Sequence, residues 1–334
     1  MATLATGALT LSDWAKRLDP NGKVPTIVEL LAQTNEILDD MLFVEGNLPT
    51  GHRTTVRTGL PTVAWRLLNQ GVAPSKSTTA QIDEQAGSLE AWSEVDVKLA
   101  ALNGNVKAFR ASEASAFIEA MNQEMAQTLF YGNAGTAPEE FTGLAPRYAS
   151  ISGATNGSHV ISGSGSGSDN SSVWLIVWGE QTVHGIFPKG SKAGLQHKDF
   201  GEETVETTAG VGGNRMRAYR EQFTWDCGIA LRDWRYVVRI CNLDISNLVA
   251  KSSAADLQEL MIKSTYKVPS LKQGRAAFYM NRTCAEMLDI QRRDDVQTGG
   301  SLAYDVVDGK RVMKFRGVPI RICDQLTEAE ATIS

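Results

Sequence analysis

From Ala111 to Tyr131 the apolar positions Ala114, Phe117, Met121, Met125 and Leu129 return to one face at helical spacing. Glu113 stands in the first turn, where it meets the positive end of the helix dipole. At about 1.5 Å of rise per residue this run makes roughly 30 Å of rod, and Gly132-Asn133 offers a left-handed stop. An earlier stripe of Ile27, Leu30, Leu31, Thr34, Ile37, Leu38 and Leu42 keeps the same period after Pro25, and Gly46 and Pro49 end it. Strand patterning appears next. Val63, Trp65 and Leu67 alternate with Thr62, Ala64 and Arg66, and Val95, Val97 and Leu99 alternate with Glu94, Asp96 and Lys98. Both predict half-buried strands. Between them, Asn69 to Trp92 holds almost no core-forming residues. Connections longer than about 12–15 residues are uncommon inside compact domains, so this excursion is expected to lean on something outside its own domain.

The middle of the chain alternates flexible and apolar segments. Ser150 to Ser172 is rich in glycine and serine and predicts a flexible loop, followed by a strand at Val173–Trp178. Phe223, Trp225, Cys227, Ile229 and Leu231 share one face, as do Trp234, Tyr236, Val238 and Ile240. Joined by Arg232-Asp233, an unfavoured turn pair, the two runs read as a long hairpin. Ser253–Asp256 and Thr283–Glu286 have the form of capping boxes ahead of two helices, the first carrying Leu257, Leu260 and Met261, the second Met287, Leu288 and Gln291. Ala276–Met280 predicts a strand, Asp308-Gly309 a hairpin turn between Tyr304–Val307 and Arg311–Phe315, and Val318–Ile322 a last strand. The fold class is α+β.

Length allows roughly two domains at about 150 residues each, and an apolar content of 42% excludes wholesale disorder. The longest apolar run, Val173–Trp178, falls far short of the roughly 20 residues of a membrane-spanning helix. Met1–Thr10 has no signal-peptide pattern, so a cytoplasmic site of synthesis is expected and no membrane. The net charge of −5, with both signs interspersed, argues against a protein built to grip nucleic acid.

No motif carries chemistry. Gly185-Ile-Phe-Pro-Lys-Gly190-Ser-Lys192 imitates a phosphate-binding loop but puts Ser before Lys and Pro188 inside it. Gly210-Val-Gly-Gly-Asn214 lacks dinucleotide-binding spacing and reads as a loop between strands. His52, His159, His184 and His197 have no metal-ligand spacing, and Cys227, Cys241, Cys284 and Cys323 form no CxxC pair. Adjacent acids such as Asp39-Asp40, Glu139-Glu140, Glu202-Glu203 and Asp294-Asp295 face apart on any one element. No catalytic, cofactor-binding or metal residue is therefore assigned. Arg215, Arg217, Tyr219, Arg220, Arg235 and Arg239 interleave with aromatics; a nucleic-acid platform competes there with a solvent or subunit-contact face, which strand alternation favours. Two alternatives stay open: a tail or decoration protein, and a cysteine hydrolase using Cys284 or another thiol.

The order of elements, with Ala276-Ala-Phe-Tyr-Met-Asn281 leading into a helix and Lys314-Phe-Arg-Gly-Val-Pro-Ile-Arg-Ile-Cys-Asp324 closing the chain, resembles the Hong Kong 97-type major capsid proteins of tailed phages, those of short-tailed phages most. The resemblance implies an N-terminal arm at 1–49, an extended loop at 50–100, a spine helix with peripheral domain at 101–140, an axial domain at 141–222 and a return through the peripheral sheet at 223–334. It also implies a virion shell subunit without cofactor, partnered by itself in hexamers and pentamers, by a scaffolding protein, a portal protein, a cement or decoration protein and non-specifically contacted packaged DNA. Some relatives cross-link subunits through a lysine of the extended loop. Lys76, the only lysine between Lys23 and Lys98, is the candidate there, but no acid or asparagine can be assigned to complete the bond.

Overall fold

A computed structural model describes residues 33–102, 104–206, 215–294, 302–307 and 310–334. One helical turn, α1 (Ile37–Asp40), and a short strand, β1 (Phe43–Glu45), lead into two long strands, β2 (Gly51–Gly59) and β3 (Thr78–Asp96). A short helix α2 (Val97–Ala101) precedes the long helix α3 (Val106–Tyr131). Then come β4 (Val160–Ser162), β5 (Asn170–Trp178), β6 (Val183–Phe187), β7 (Gln196–Glu206), β8 (Arg215–Leu231) and β9 (Val237–Asp244). The chain continues through α4 (Ile245–Ala250), α5 (Leu257–Lys267), β10 (Arg275–Met280), α6 (Arg282–Asp294), β11 (Leu302–Val307), β12 (Lys310–Phe315) and β13 (Val318–Ile322).

These elements fall into two compact units. Among the described residues, the first draws on Gln33, 88–125 and 194–226, and the second on 34–87, 126–193 and 227–334. In the second unit β5 pairs antiparallel with β9 on one side and with β10 on the other. Parallel β13 continues the sheet beyond β10, and the antiparallel pair β12 and β11 closes it. Every residue of β5 is buried, which is why Val173–Trp178 is an unbroken apolar run and not an alternation. Its odd positions, Val173, Leu175 and Val177, pack with Val238, Ile240, Phe278 and the α4–α6 residues Leu248, Leu260, Met261 and Leu288. On its other face Trp174 meets Phe130 and Tyr148 at centroid distances of 6.0 Å each, and Trp178 donates to the Tyr279 hydroxyl at 2.7 Å. In the first unit β7 and β8 pair antiparallel, and Phe117 of α3 stacks on Phe223 at 5.9 Å.

The α+β class, helix α3, the strand at Val173–Trp178, and the β11, β12 and β13 strands agree with the pattern; the Asp308-Gly309 turn lies outside the described residues, as do Gly210–Asn214 and the stripe as far as Leu31. Other expectations need correction. The described part of that early stripe is a single turn, α1, which ends before Leu42 as Asn35 bridges to Cys323. No strand forms at Thr62–Leu67. Thr78–Asp96 is a strand throughout most of the stretch that looked structureless, and it stops where Asp96 caps α2 by accepting the Lys98 N–H at 2.7 Å, so Val97–Leu99 is helical. The β8 and β9 runs are not a hairpin: β8 pairs with β6 and β7, whereas β9 pairs with β4 and β5. The Arg232-Asp233 link is held by both backbone N–H groups donating to the Thr182 carbonyl, at 2.9 and 3.2 Å.

The glycines also act differently from the expectation. Gly132 and Asn133 are not left-handed. Gly132 is required because a Cβ there would lie 2.6 Å from the Phe141 and Thr128 carbonyl oxygens. The Gly/Ser segment is packed, not loose: Gly163 and Gly165 donate to the carbonyls of Cys241 and Asn242 at 2.8 Å each, an approach that side chains would block. The helix caps are Asp256 and Asn281, accepting the N–H groups of Glu259 at 2.9 Å and Cys284 at 2.7 Å, instead of Ser253 and Thr283.

Candidate functional site

The β2 and β3 strands pair from Gly51↔Gln85 out to Gly59↔Thr78. Backbone pairing makes the pair stiff, but its tip, residues 60–77, has no strand or helix. Leu60, Val63, Trp65, Leu67 and Leu68 are 81, 89, 103, 67 and 90% exposed. Burying a side chain of this kind gains roughly 1.5–3 kcal/mol, so five bare ones between Leu60 and Leu68 mark a surface made to be covered. The tip and its flanks are cationic: Arg57, Arg66 and Lys76 have no Asp or Glu between them. Sequence alternation misplaced this segment as a half-buried strand. The contrary signal was Pro61 and Pro74 with Gly59 and Gly71, which break ladders.

At its root the pair is tied within the second unit. Glu84, buried on β3, takes a bidentate ion pair from Arg147, both bonds at 2.6 Å. Asn47 and Arg53 exchange side-chain and backbone bonds at 2.7 and 2.8 Å. Nothing in the spacing of residues singles out Glu84. Only the register that sets it opposite His52 gives it that role.

The Arg-and-aromatic set does not form one face. Arg239, expected to meet solvent or another subunit, is 4% exposed and pairs at 2.9 Å with Glu330, 7% exposed. Its Nε donates to Ser172 at 3.0 Å, its Nη1 to the Tyr148 carbonyl at 3.1 Å, and its guanidinium lies 5.0 Å from the Trp174 ring centre. Glu330 also accepts from Ser172 and from the Tyr131 hydroxyl, the latter at 2.6 Å. The cause of the misreading is that β9 is covered on both sides, so alternation there does not separate core from surface. Arg217 and Arg220 are answered by Glu202, Glu94 and Glu203 within the first unit, and Arg235 by Asp233.

The groups considered for chemistry are dispersed or inaccessible. All four cysteines are buried, and burial pushes Cys241 up to about 11 and Cys284 and Cys323 up to about 12. Thiolate is the reactive form, so burial disfavours Cys284, the nucleophile named for the hydrolase alternative. His52 and His184 meet edge to face at 5.7 Å, His159 lies against Trp234 at 5.0 Å, and His197 faces Glu221 at 3.0 Å. Among the described residues no three His, Cys, Asp or Glu side chains are placed to hold a metal ion. Gly185–Lys192 leaves β6 through a turn toward β7, with no helix N-terminus to meet a phosphate. No helix among the described residues is long and apolar enough to cross a membrane.

A stiff arm with a bare apolar tip is the geometry of a subunit that works by association. The family model for major capsid protein GP7 matches residues 19–334. The chain belongs to the GP7 major capsid protein family. The structure of bacteriophage Epsilon15 contains a chain 34% identical to this capsid protein, with 100% of this chain and 99% of that one covered and a TM-score of 0.78. A capsid chain of a native GTA particle is 9% identical over 67% of this chain and 95% of its own, with a TM-score of 0.46. The SrpI encapsulin of Synechococcus elongatus PCC 7942 is 11% identical over 70% and 96%, with a TM-score of 0.43. No curated protein matches significantly. The capsid protein has the Hong Kong 97-type fold, and it is a phage shell subunit whose place is the virion.

Proposed function

We propose that copies of this subunit form the hexamers and pentamers of an icosahedral shell around double-stranded phage DNA. The extended loop at 50–100, the arm at 1–49 and the axial domain at 141–222 make the contacts, while 101–140 and 223–334 supply the spine helix and the peripheral return. The five-part division is functional; the two compact units each draw on several of its parts. The subunit catalyses nothing. It is made in the host cytoplasm, assembles with a scaffolding protein, meets a portal protein, offers its outside to a cement protein and touches packaged DNA only non-specifically.

The observation that carries this reading is the tip, where Leu60, Val63, Trp65, Leu67 and Leu68 stand bare on a stiff strand pair. A subunit with an intact core has no use for that area except a neighbour. The test is expression with the scaffold and electron microscopy. The native chain gives closed particles, and a variant with Trp65→Ser, Leu67→Ser and Leu68→Ser gives folded subunits, by circular dichroism, that do not close. Particles from the variant indistinguishable from the native ones would overturn the assignment of the loop.

A further inference from the structure

The root of the extended loop carries a group of side chains that shell contacts leave unexplained. His52 is the second residue of β2 and His184 sits in β6; both are buried, His184 completely. The two rings meet edge to face at 5.7 Å, and Arg232, just beyond β8, contacts His52, its Nη2 lying 3.0 Å from His52 Nε2. The other His52 nitrogen, Nδ1, receives the backbone N–H of Asn47 at 3.3 Å. Both ring nitrogens therefore face donors. A neutral imidazole offers one acceptor nitrogen and a charged one offers none, so His52 keeps one of these two bonds when neutral and loses both when charged. His184 has the matching constraint. Its Nδ1 lies 3.2 Å from the Gly185 carbonyl, which makes it the N–H, and its buried Nε2 has no hydrogen-bond partner. A proton added at Nε2 would be a buried donor with nothing to accept it.

The charges around the pair come from every element packed on it. His52 faces Arg232 from the end of β8, His184 from β6 and Glu84 from β3; His184 faces Arg232, His52 and Glu180 in the loop after β5. Glu84 is held on the far side by Arg147, and its Oε1 lies 3.5 Å from the Leu231 backbone N–H. The one carboxylate close to His52 is thus already engaged, while the cation is in contact.

We propose that the extended loop is latched at its root by the His52–His184–Arg232 cluster, which holds only while both imidazoles are neutral, so that acid frees the loop before it unfolds the body. Burial and the neighbouring guanidinium hold His184 down at about 4 and lower His52 from its ordinary value. The sign follows from linkage. A histidine whose folded titration is depressed contributes its full stability above the unfolded value near 6.5 and loses it as pH falls toward about 4, because the opened state then binds the proton better. The latch is a property of the single subunit and does not rest on the loop's role between subunits.

Amide hydrogen exchange on the unassembled subunit tests it, at about pH 7.5 and about pH 5, with rates normalised to intrinsic exchange. The expected result is loss of protection by about tenfold or more at the root amides near Gly51–Thr55 and Gln85–Ala86, while Val173–Val177 of β5 stays protected. The variant His52→Asn with His184→Asn should show no such pH response. Equal root protection at both pH values, parallel loss in β5, or an unaltered response in the double variant would each overturn the latch. Should the double variant not fold, ring-proton NMR of the native subunit decides. Two neutral imidazoles at about pH 7, titrating as the root opens, support the latch, and a charged ring at that pH overturns it.

Discussion

Single side chains in this subunit act through what burial does to their charge. Arg239 and Glu330 are both nearly sealed from water, and each has its remaining polar atoms satisfied by Ser172, Tyr131 or the Tyr148 carbonyl. Replacing Arg239 with Met leaves Glu330 as a buried carboxylate without its cation, a change that costs roughly 3–5 kcal/mol. Adding Glu330→Gln to Arg239→Met removes the orphaned charge and should recover part of that loss. Urea unfolding of the single and double variants measures the difference; a double variant less stable than the single one by the full additive sum would contradict the pairing. None of this was legible beforehand. The sequence shows an arginine on an alternating run, and only the pairing of β9 with β4 and β5 turns that arginine inward. The caps tell the same story on a smaller scale: Asp256 and Asn281 are as good as Ser253 and Thr283 by residue type, and the backbone turn decides between them.

Elements were easier to read than their partners. Helical period located α3, and apolar runs located β5, β10 and β13, because each buries a face whose composition is local information. Which strand lies beside which is not local. The β8 and β9 runs looked like a hairpin since they are adjacent in sequence, yet an Arg-Asp link with both amides tied to Thr182 sends β9 to a different neighbour. Glycines show the same limit. Gly132 looked like a left-handed stop, whereas its role is close approach: a Cβ would press on two carbonyl oxygens at 2.6 Å, and backbone cannot yield as a flexible side chain can. Gly132→Ala is therefore expected to destabilise by about 1–3 kcal/mol, the usual range for forced overpacking. A thermal scan checks it. An unchanged or raised midpoint would show that the neighbouring backbone yields and that the close approach does not require glycine.

At the scale of the molecule, length suggested two domain-sized units but not their composition. Among the described residues each unit is assembled from separate stretches of chain, an arrangement that no composition shift announces. Three elements, β3, α3 and β8, are continuous across the boundaries at residues 87/88, 125/126 and 226/227. A helix cannot melt up to Met125 and keep its hydrogen bonds intact at Ala126, since each bond spans four residues. The same holds for a strand whose ladder continues past the boundary. Unfolding of one unit must then fray the other, and the subunit is expected to lose structure in one cooperative step. Phe223, 1% exposed and stacked on Phe117, is the place to test this. Phe223→Ala lies in the first unit and should cost about 3–5 kcal/mol. Calorimetry of that variant should show a single endotherm moved to lower temperature. Two endotherms, one moved and one fixed, would mean that the units fold independently and that the three shared elements transmit nothing.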